Sequence, residues 1–493
     1  MRAAVPVAAV AFGAAIAAAA AQDLGPRVGP PAPFVPAASH GEAFPGAVAK
    51  GLLTFRGNPT RSWRAPNPLP ARLETKWRRG PFCGPSTDGA GTRTWCGTGW
   101  TGQPVVRETA EATEIIFGAY DHQVHFLDAQ TGRDRRAPFR TGDIIKGSVS
   151  LDPSGAPLLF VGSRDNFLRI LRLDADRAVE LWRLAGATAD GVWNNDWDGS
   201  PLVLGDHLFA GGENSWFHAV ALNRGRDADG RANVRPEIVS RIPGFTPALF
   251  AAVGDRMASI ESSPMALGGA VWFVNSAGLV QGYDMGRLIA GAGRQAALVL
   301  EHFAGDDADA TLIGGPSGEI YVAVEDERAP SPAKRRTGQL ARLDPARPDD
   351  PLVWGLTIPG RAEGVGGLWA TPVLHRGHLH VPLQAGGLLT VEAATGRVTQ
   401  RLPAPIHGWS SPVIVGDELL VATCAGDLRI YALEDPARPR ERLRHRVPGA
   451  GCFESTPAVW RGRIYLGGRD GHVYALGAAA PQGLERLADA RLQ

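Results

Sequence analysis

The chain has 493 residues, 44% of them hydrophobic, and a formal net charge of +1, so it can bury an extensive core. A near-neutral balance with no basic stripe and no interleaved aromatics argues against a nucleic-acid partner or an anionic membrane surface. Its 62 glycines and 39 prolines suit many short strands joined by tight turns.

In chain order, residues 1–21 read as a secretory signal. One positive charge at Arg2 precedes an alanine-heavy apolar stretch that ends in Ala19, Ala20 and Ala21 before Gln22. An uncleaved membrane anchor is the alternative. Nothing later in the sequence is apolar for long enough to span a bilayer, so no membrane span is expected once the signal is removed. No cysteine follows the apolar stretch, and a lipid-bearing N-terminal cysteine is not expected. The protein is read as periplasmic or secreted, and as a monomer. Residues 22–50 are rich in Pro and Ala without periodicity, and predict a flexible segment or one draped over the surface.

From Gly51 to Gly477 a phrase recurs. A small or polar pair, usually followed by proline and an apolar run, precedes a Gly-rich turn and another apolar strand. The clear copies lie at Ser200-Pro201, Ser263-Pro264, Thr371-Pro372, Ser411-Pro412 and Thr456-Pro457, with fainter ones from Thr101, Lys146 and Asp309. Eight copies at spacings of roughly 40–60 residues indicate a propeller of four-stranded blades. The expected fold is therefore all-β, an eight-bladed propeller over residues 51–477, followed by a polar tail over residues 478–493. A segment around Trp77 resembles the outer strands at Trp182 and Trp354, yet it precedes any complete blade. The last blade, by contrast, holds only about three strands. The Trp77 segment is expected to complete that blade and close the ring, removing exposed sheet edges. Insertions are expected around Asp227 to Gly230 and around Arg328 to Arg336, as surface loops.

Four cysteines in an exported chain imply disulfides, and four allow three pairings. Cys83 and Cys96 flank a Gly/Ser/Thr-rich loop, while Cys424 and Cys452 bracket one passage between blades. The expected links are Cys83–Cys96 and Cys424–Cys452; a four-cysteine metal site lacks any close Cys pair.

The Gly-x-x-Asp turns, the Leu-Asp-Ala-x-Thr-Gly run from Leu127 to Gly132, the outer strands opened by Trp, and the leading Phe55-Arg56-Gly57-Asn58-Pro59 together resemble the quinoprotein-like propeller repeat family. The resemblance covers nearly all of the chain after the signal. It implies one of two functions. One branch holds pyrroloquinoline quinone and Ca²⁺ on the propeller axis and oxidises alcohols or sugars; the other comprises binding scaffolds, such as the propeller lipoprotein of the outer-membrane β-barrel assembly machinery. This chain lacks the adjacent cysteine pair of many alcohol-oxidising members, a Cys-x-x-Cys-His haem motif and a lipid-anchoring cysteine.

Propeller geometry places the start of each inner strand on the central channel. Aligned on the repeated phrase, the channel positions are Thr101, Lys146, Asp198, Glu261, Asp309, Trp369, Trp409 and Glu454. Carboxylates converging on one point repel unless protons or a cation intervene. Asp198, Glu261 and Asp309 are thus candidate Ca²⁺ ligands, and Lys146, Trp369, Trp409 and Glu454 candidate ligand-binding residues; Trp369 or Trp409 would offer a flat face to a planar ligand. The alternative is that these residues line a solvated channel, with Lys146 balancing part of the charge. The histidines form no zinc-binding grouping, and Asp227 to Gly230 reads as a turn although it echoes a Ca²⁺ loop. The reading preferred is an exported binding or scaffold propeller with a protein or small-molecule ligand at the axial funnel or rim and no assigned catalytic residue. The alternative is a pyrroloquinoline quinone- and Ca²⁺-dependent dehydrogenase.

Overall fold

The computed structural model describes residues 32–66, 68–99, 102–360 and 366–479. The signal over residues 1–21, the first part of the segment over residues 22–50, the channel position Thr101 and all but the start of the polar tail lie outside the described residues. The chain forms an eight-bladed β-propeller, in which each blade is an antiparallel four-stranded unit. The inner strands of blades 1 to 8 are Val105–Glu108, Ser150–Leu151, Leu202–Leu204, Met265–Leu267, Ile313–Gly314, Val373–His375, Val413–Val415 and Ala458–Trp460. The second strands are Thr113–Gly118, Leu158–Gly162, His207–Gly211, Ala270–Val274, Ile320–Ala323, His378–Pro382, Glu418–Ala422 and Arg463–Gly467. Lys50–Leu52 adds a fifth strand inside blade 1.

Burial follows position in the blade. Middle strands are covered on both faces by neighbouring blades, so Leu158–Gly162 and Asp427–Ala432 are buried throughout. Outer strands such as Arg440–Arg446 face solvent and carry charge. One irregularity recurs. Between third and outer strands the register shifts by a residue in blades 2 to 8, from Ile170/Leu171 in blade 2 to Thr75/Trp77 in blade 8. Such a bulge tightens the local twist, which each blade needs as it fans outward.

The last blade is completed by Leu73–Arg79, which pairs with Val473–Ala478 as its outer strand. The seam has a specific lock. The indole Nε1 of Trp77 donates to the Ala129 carbonyl of blade 1 at 3.1 Å. Its ring lies over Gly132, where an added Cβ would come within 2.7 Å of it. Trp354 of blade 5 does the same to blade 6, donating to the Ala393 carbonyl at 3.0 Å and covering Gly396. The Trp of one outer strand and the Ala-x-Thr-Gly turn of the next blade are therefore two halves of one contact.

Both expected disulfides are present, Cys83–Cys96 and Cys424–Cys452. Cys83–Cys96 joins directly opposed residues of a hairpin formed by Cys83–Asp88 and Gly91–Cys96. Of the two insertions, the first is a small hairpin of Gly225–Arg226 and Ala232–Asn233, and the second contains a short helix, Pro332–Thr337.

The segment over residues 22–50 needs correction in its described part. Val35 exchanges two backbone hydrogen bonds with Gly268, at 2.8 and 2.7 Å, and Val35 and Phe44 are buried in the core. The side-chain amide of Asn58 donates to the Ser39 and Glu42 carbonyls, tying this segment down. Composition alone missed this because the hydrogen-bonding groups of the segment are backbone atoms, and the core-facing Val35 and Phe44 are too far apart to set a period.

Candidate functional site: the axial funnel

The repeated Ser/Thr proves to be a hub. The backbone N–H of each such residue donates to the hydroxyl of its counterpart in the next blade: Ser200 to Ser263, Ser263 to Thr311, Thr311 to Thr371 and Thr371 to Ser411, at 2.9–3.0 Å. Ser411 continues to Thr456 at 3.3 Å, and Gln103 donates to Ser148 at 2.7 Å. A hydroxyl on a short side chain satisfies a buried N–H without intruding on the axis, which explains the choice of Ser and Thr. Packing here is tight. A Cβ on Gly147 would fall 1.9 Å from the Asp198 carbonyl oxygen, so only glycine fits.

Two residues before each hub position lie the expected channel residues. A second set of axial residues joins them. It lies two positions after each second strand: Tyr120, Arg164, Glu213, Ser276, Glu325, Gln384, Cys424 and Arg469. The two sets interact. Lys146 pairs with Asp198, with Glu213 at 3.2 Å and with Asp196 at 3.9 Å. Arg164 holds Asp196 at 3.1 Å, and Arg469 holds Glu454 at 3.4 Å. Ser276 and Ser259 both donate to Glu261, at 3.4 and 2.7 Å. Trp369 and Trp409 stack on each other with centroids 5.5 Å apart, and His407 lies 5.0 Å from Trp409. Arg469 also packs 5.3 Å from the rings of Trp95 and Tyr120, fixing the disulfide hairpin to the rim.

The candidate trio Asp198, Glu261 and Asp309 divides between two clusters. Carboxylate oxygens of Asp198, Glu213 and Glu261 lie within 4.8 Å of one another, and so do those of Asp307, Asp309 and Glu325. The first cluster has Lys146 against it. Burial alone would lower that ammonium, but Asp198, Glu213, Glu261 and Asp196 raise it well above its ordinary value. Burial pushes Asp198 well above the carboxylate range, whereas Glu213 is lowered, since its own burial is outweighed by Lys146 together with hydrogen bonds to Asp198, Asn194 and Lys146. Glu261, Asp307, Asp309 and Glu325 are held well above the usual range by burial and then by one another. Among the described residues none of these four has an ion-pair partner within 4 Å. Among the described residues, cations therefore face the axial carboxylates of blades 3 and 8, and none pairs with those of blades 4 and 5.

The opposite end of the channel is filled by the chain itself. Thr54, Arg56 and Arg61 enter the axis, and the last two are 4% and 0% exposed. Arg56 donates to the Pro412 carbonyl at 2.9 Å; Arg61 donates to the carbonyls of Pro264, Phe55 and Ser200. Both have positive φ, 56° and 57°, a costly backbone for arginine that the surrounding bonds enforce. Burial lowers both guanidiniums to about 9. The plug therefore closes that end of the channel. The Asp227 turn is structural, as expected, its carboxylate held by Arg172 and Arg231.

Glu454 gives this electrostatics a measurable consequence. Burial raises it from 4.5 to about 7, against the pull of Arg469. Its folded pKa lies above the unfolded one, so its stabilising contribution is complete below pH 4.5 and is lost as pH rises through 7. Replacing it as Glu454→Gln should remove this dependence. The unfolding free energy of the variant relative to the parent should rise by about 3 kcal/mol between about pH 4 and pH 8. A difference that stays flat across that range would mean that Arg469 keeps the carboxylate ionised.

No family model and no curated protein matches the sequence. Among solved structures the chain is similar to the computationally designed Ika8 protein, with a TM-score of 0.51 and 10% identity over 77% of this chain and 96% of that one. It is also similar to BamB from Moraxella catarrhalis, with a TM-score of 0.37 and 13% identity over 82% of this chain and all of that one. The first likeness shows fold alone, and the second is too loose a superposition to add to it. No helix among the described residues is long and apolar enough to cross a membrane.

Proposed function

We propose that this chain is an exported binding or scaffold protein whose ligand or partner docks at the axial funnel. The observation that carries this reading is the unbalanced arc of Glu261, Asp307, Asp309 and Glu325, set in a funnel whose other charges are paired. Carboxylates withdrawn from water without counter-charge are costly, and a fold that retains four of them, Glu325 buried and the other three half-buried, keeps a place for something that compensates them. Two disulfides support an oxidising compartment.

The quinone fits this funnel poorly. Pyrroloquinoline quinone is a tricarboxylate anion, and the open arc is acidic. The cations on the axis, Lys146, Arg164 and Arg469, already face carboxylates of the protein. No oxidation step is assigned to these residues.

Thermal melts of the mature protein with Ca²⁺, with and without the quinone, test the reading. A ligand specific for the folded state, at 100 times its dissociation constant, adds about 2.7 kcal/mol and shifts the midpoint visibly. No quinone-dependent shift is expected. A quinone-dependent rise that Glu261→Ala abolishes would replace the binding-protein reading with the dehydrogenase one.

A further inference from the structure

A cavity of about 460 Å³ opens beside the blade 5 carboxylates. Its walls are of two kinds. Val253, Met257 and Phe303 offer apolar surface, and Asp307 and Glu327 offer carboxylates. Arg328 and Asp255 also line it, but they pair with each other at 2.7 Å, and Arg328 donates further to the carbonyls of Met257 and Ser276. Asp307 belongs both to this cavity and to the cluster with Asp309 and Glu325. Its Oδ1 is fully buried without a hydrogen-bond partner. Glu325 is only 2% exposed, and among the described residues its carboxylate has no ion-pair partner although it lies within 4.8 Å of the other two. A cavity with apolar and carboxyl walls thus adjoins, through Asp307, a cluster of three carboxyl groups that no cation approaches within 4 Å among the described residues.

We propose that this cavity and cluster form a site for an alkylammonium group, with the methylene chain along Val253, Met257 and Phe303 and the ammonium among Asp307, Asp309 and Glu325. The assignment rests on the binding-protein reading of the funnel and names the chemistry that the funnel selects. An ammonium offers three N–H donors, one for each carboxylate. The apolar walls explain why the ligand carries carbon: a bare inorganic cation would need the carboxylates but would have no use for Met257 and Phe303. A free amine and a lysine side chain of a partner share this chemistry.

Isothermal titration of the mature protein with 1,5-diaminopentane tests the site, with Nα-acetyl-lysine amide, 1-pentanol and CaCl₂ as parallel arms. Saturable binding of the diamine is expected, with none of pentanol. Tighter binding of the lysine amide than of the diamine would identify a protein segment as the source, and the reverse a free amine. Asp309→Asn and Glu325→Gln should each weaken the diamine at least tenfold. Both remove buried repulsion, so their melting midpoints should match or exceed the parent's, which separates lost binding from lost fold. Phe303→Ala should weaken the diamine severalfold and leave any Ca²⁺ titration unchanged. Binding of Ca²⁺ without the diamine would overturn the proposal in favour of an inorganic site. Binding of neither would overturn it by showing that the carboxyls share protons instead. Either failure leaves the binding-protein reading standing, since that reading is judged separately by the quinone-dependent melt.

Discussion

Arg61→Ala should destabilise the protein by about 4 kcal/mol, or prevent its accumulation in folded form, although Arg61 lies remote from the open mouth of the funnel. Its guanidinium is 0% exposed and donates to Pro264, Phe55 and Ser200 carbonyls and to the Thr54 hydroxyl, at 2.5–3.2 Å. These carbonyls belong to the plug and to the hub phrase of blades 3 and 4, where inner strands begin and their backbone groups have no neighbouring strand. Truncation strands several of them at once in a site closed to water, and each buried orphan costs about 1–3 kcal/mol. Burial of the guanidinium is itself costly and lowers it to about 9. The hydrogen bonds must outweigh that cost. Arg61→Lys keeps the charge but loses the planar fork, and should fall between alanine and parent. Denaturant titration of the three chains measures the series. An alanine variant within about 1 kcal/mol of the parent would show that the plug fills the channel without holding the blades.

The parts of this architecture that were legible in the sequence are those that repeat as text. Ser200, Ser263, Thr371, Ser411 and Thr456 perform one task, hydroxyl acceptance at the hub, and so stand in one register. Counting back from them found Lys146, Asp198, Glu261 and Asp309 without a structure. The same register reaches Glu213, 13 residues after Ser200, but not Glu325, because the distance from the hub to this position is 13 in blades 3, 4, 6, 7 and 8 and longer in blade 5. A count started from the end of the second strand recovers both, together with Arg164 and Arg469. What no count could supply is pairing. Lys146 and Asp198 meet across adjacent blades, and that contact turns part of an expected metal site into an ion pair. The role of Arg56 and Arg61 was equally hidden, since the groups they satisfy are carbonyls, which every residue carries.

The ring seam makes a sharper demand on the fold than any other blade junction. Leu73–Arg79 and Val473–Ala478 are roughly 400 positions apart, so their pairing closes nearly the whole chain into a loop. The junction of blades 5 and 6 uses the same lock, Trp354 on Gly396, but its two halves are neighbours in sequence. Trp77→Ala and Trp354→Ala therefore remove the same local contact from two topologically different places. Each should cost about 3 kcal/mol by lost packing and a lost indole hydrogen bond. Only Trp77→Ala should also lower the cooperativity of unfolding, because blades 8 and 1 can then part while the rest of the ring persists. That appears as a smaller denaturant slope or a separate early transition. Deleting residues 73–79 should exaggerate the effect, leaving Val473–Ala478 as an open edge able to pair with another chain. Gly132→Ala should reproduce the Trp77 phenotype, since its Cβ meets the indole at 2.7 Å. Unfolding curves of equal steepness for the two tryptophan variants would mean that the seam is closed by the blades' shared core, and that the terminal strand adds only another increment of packing.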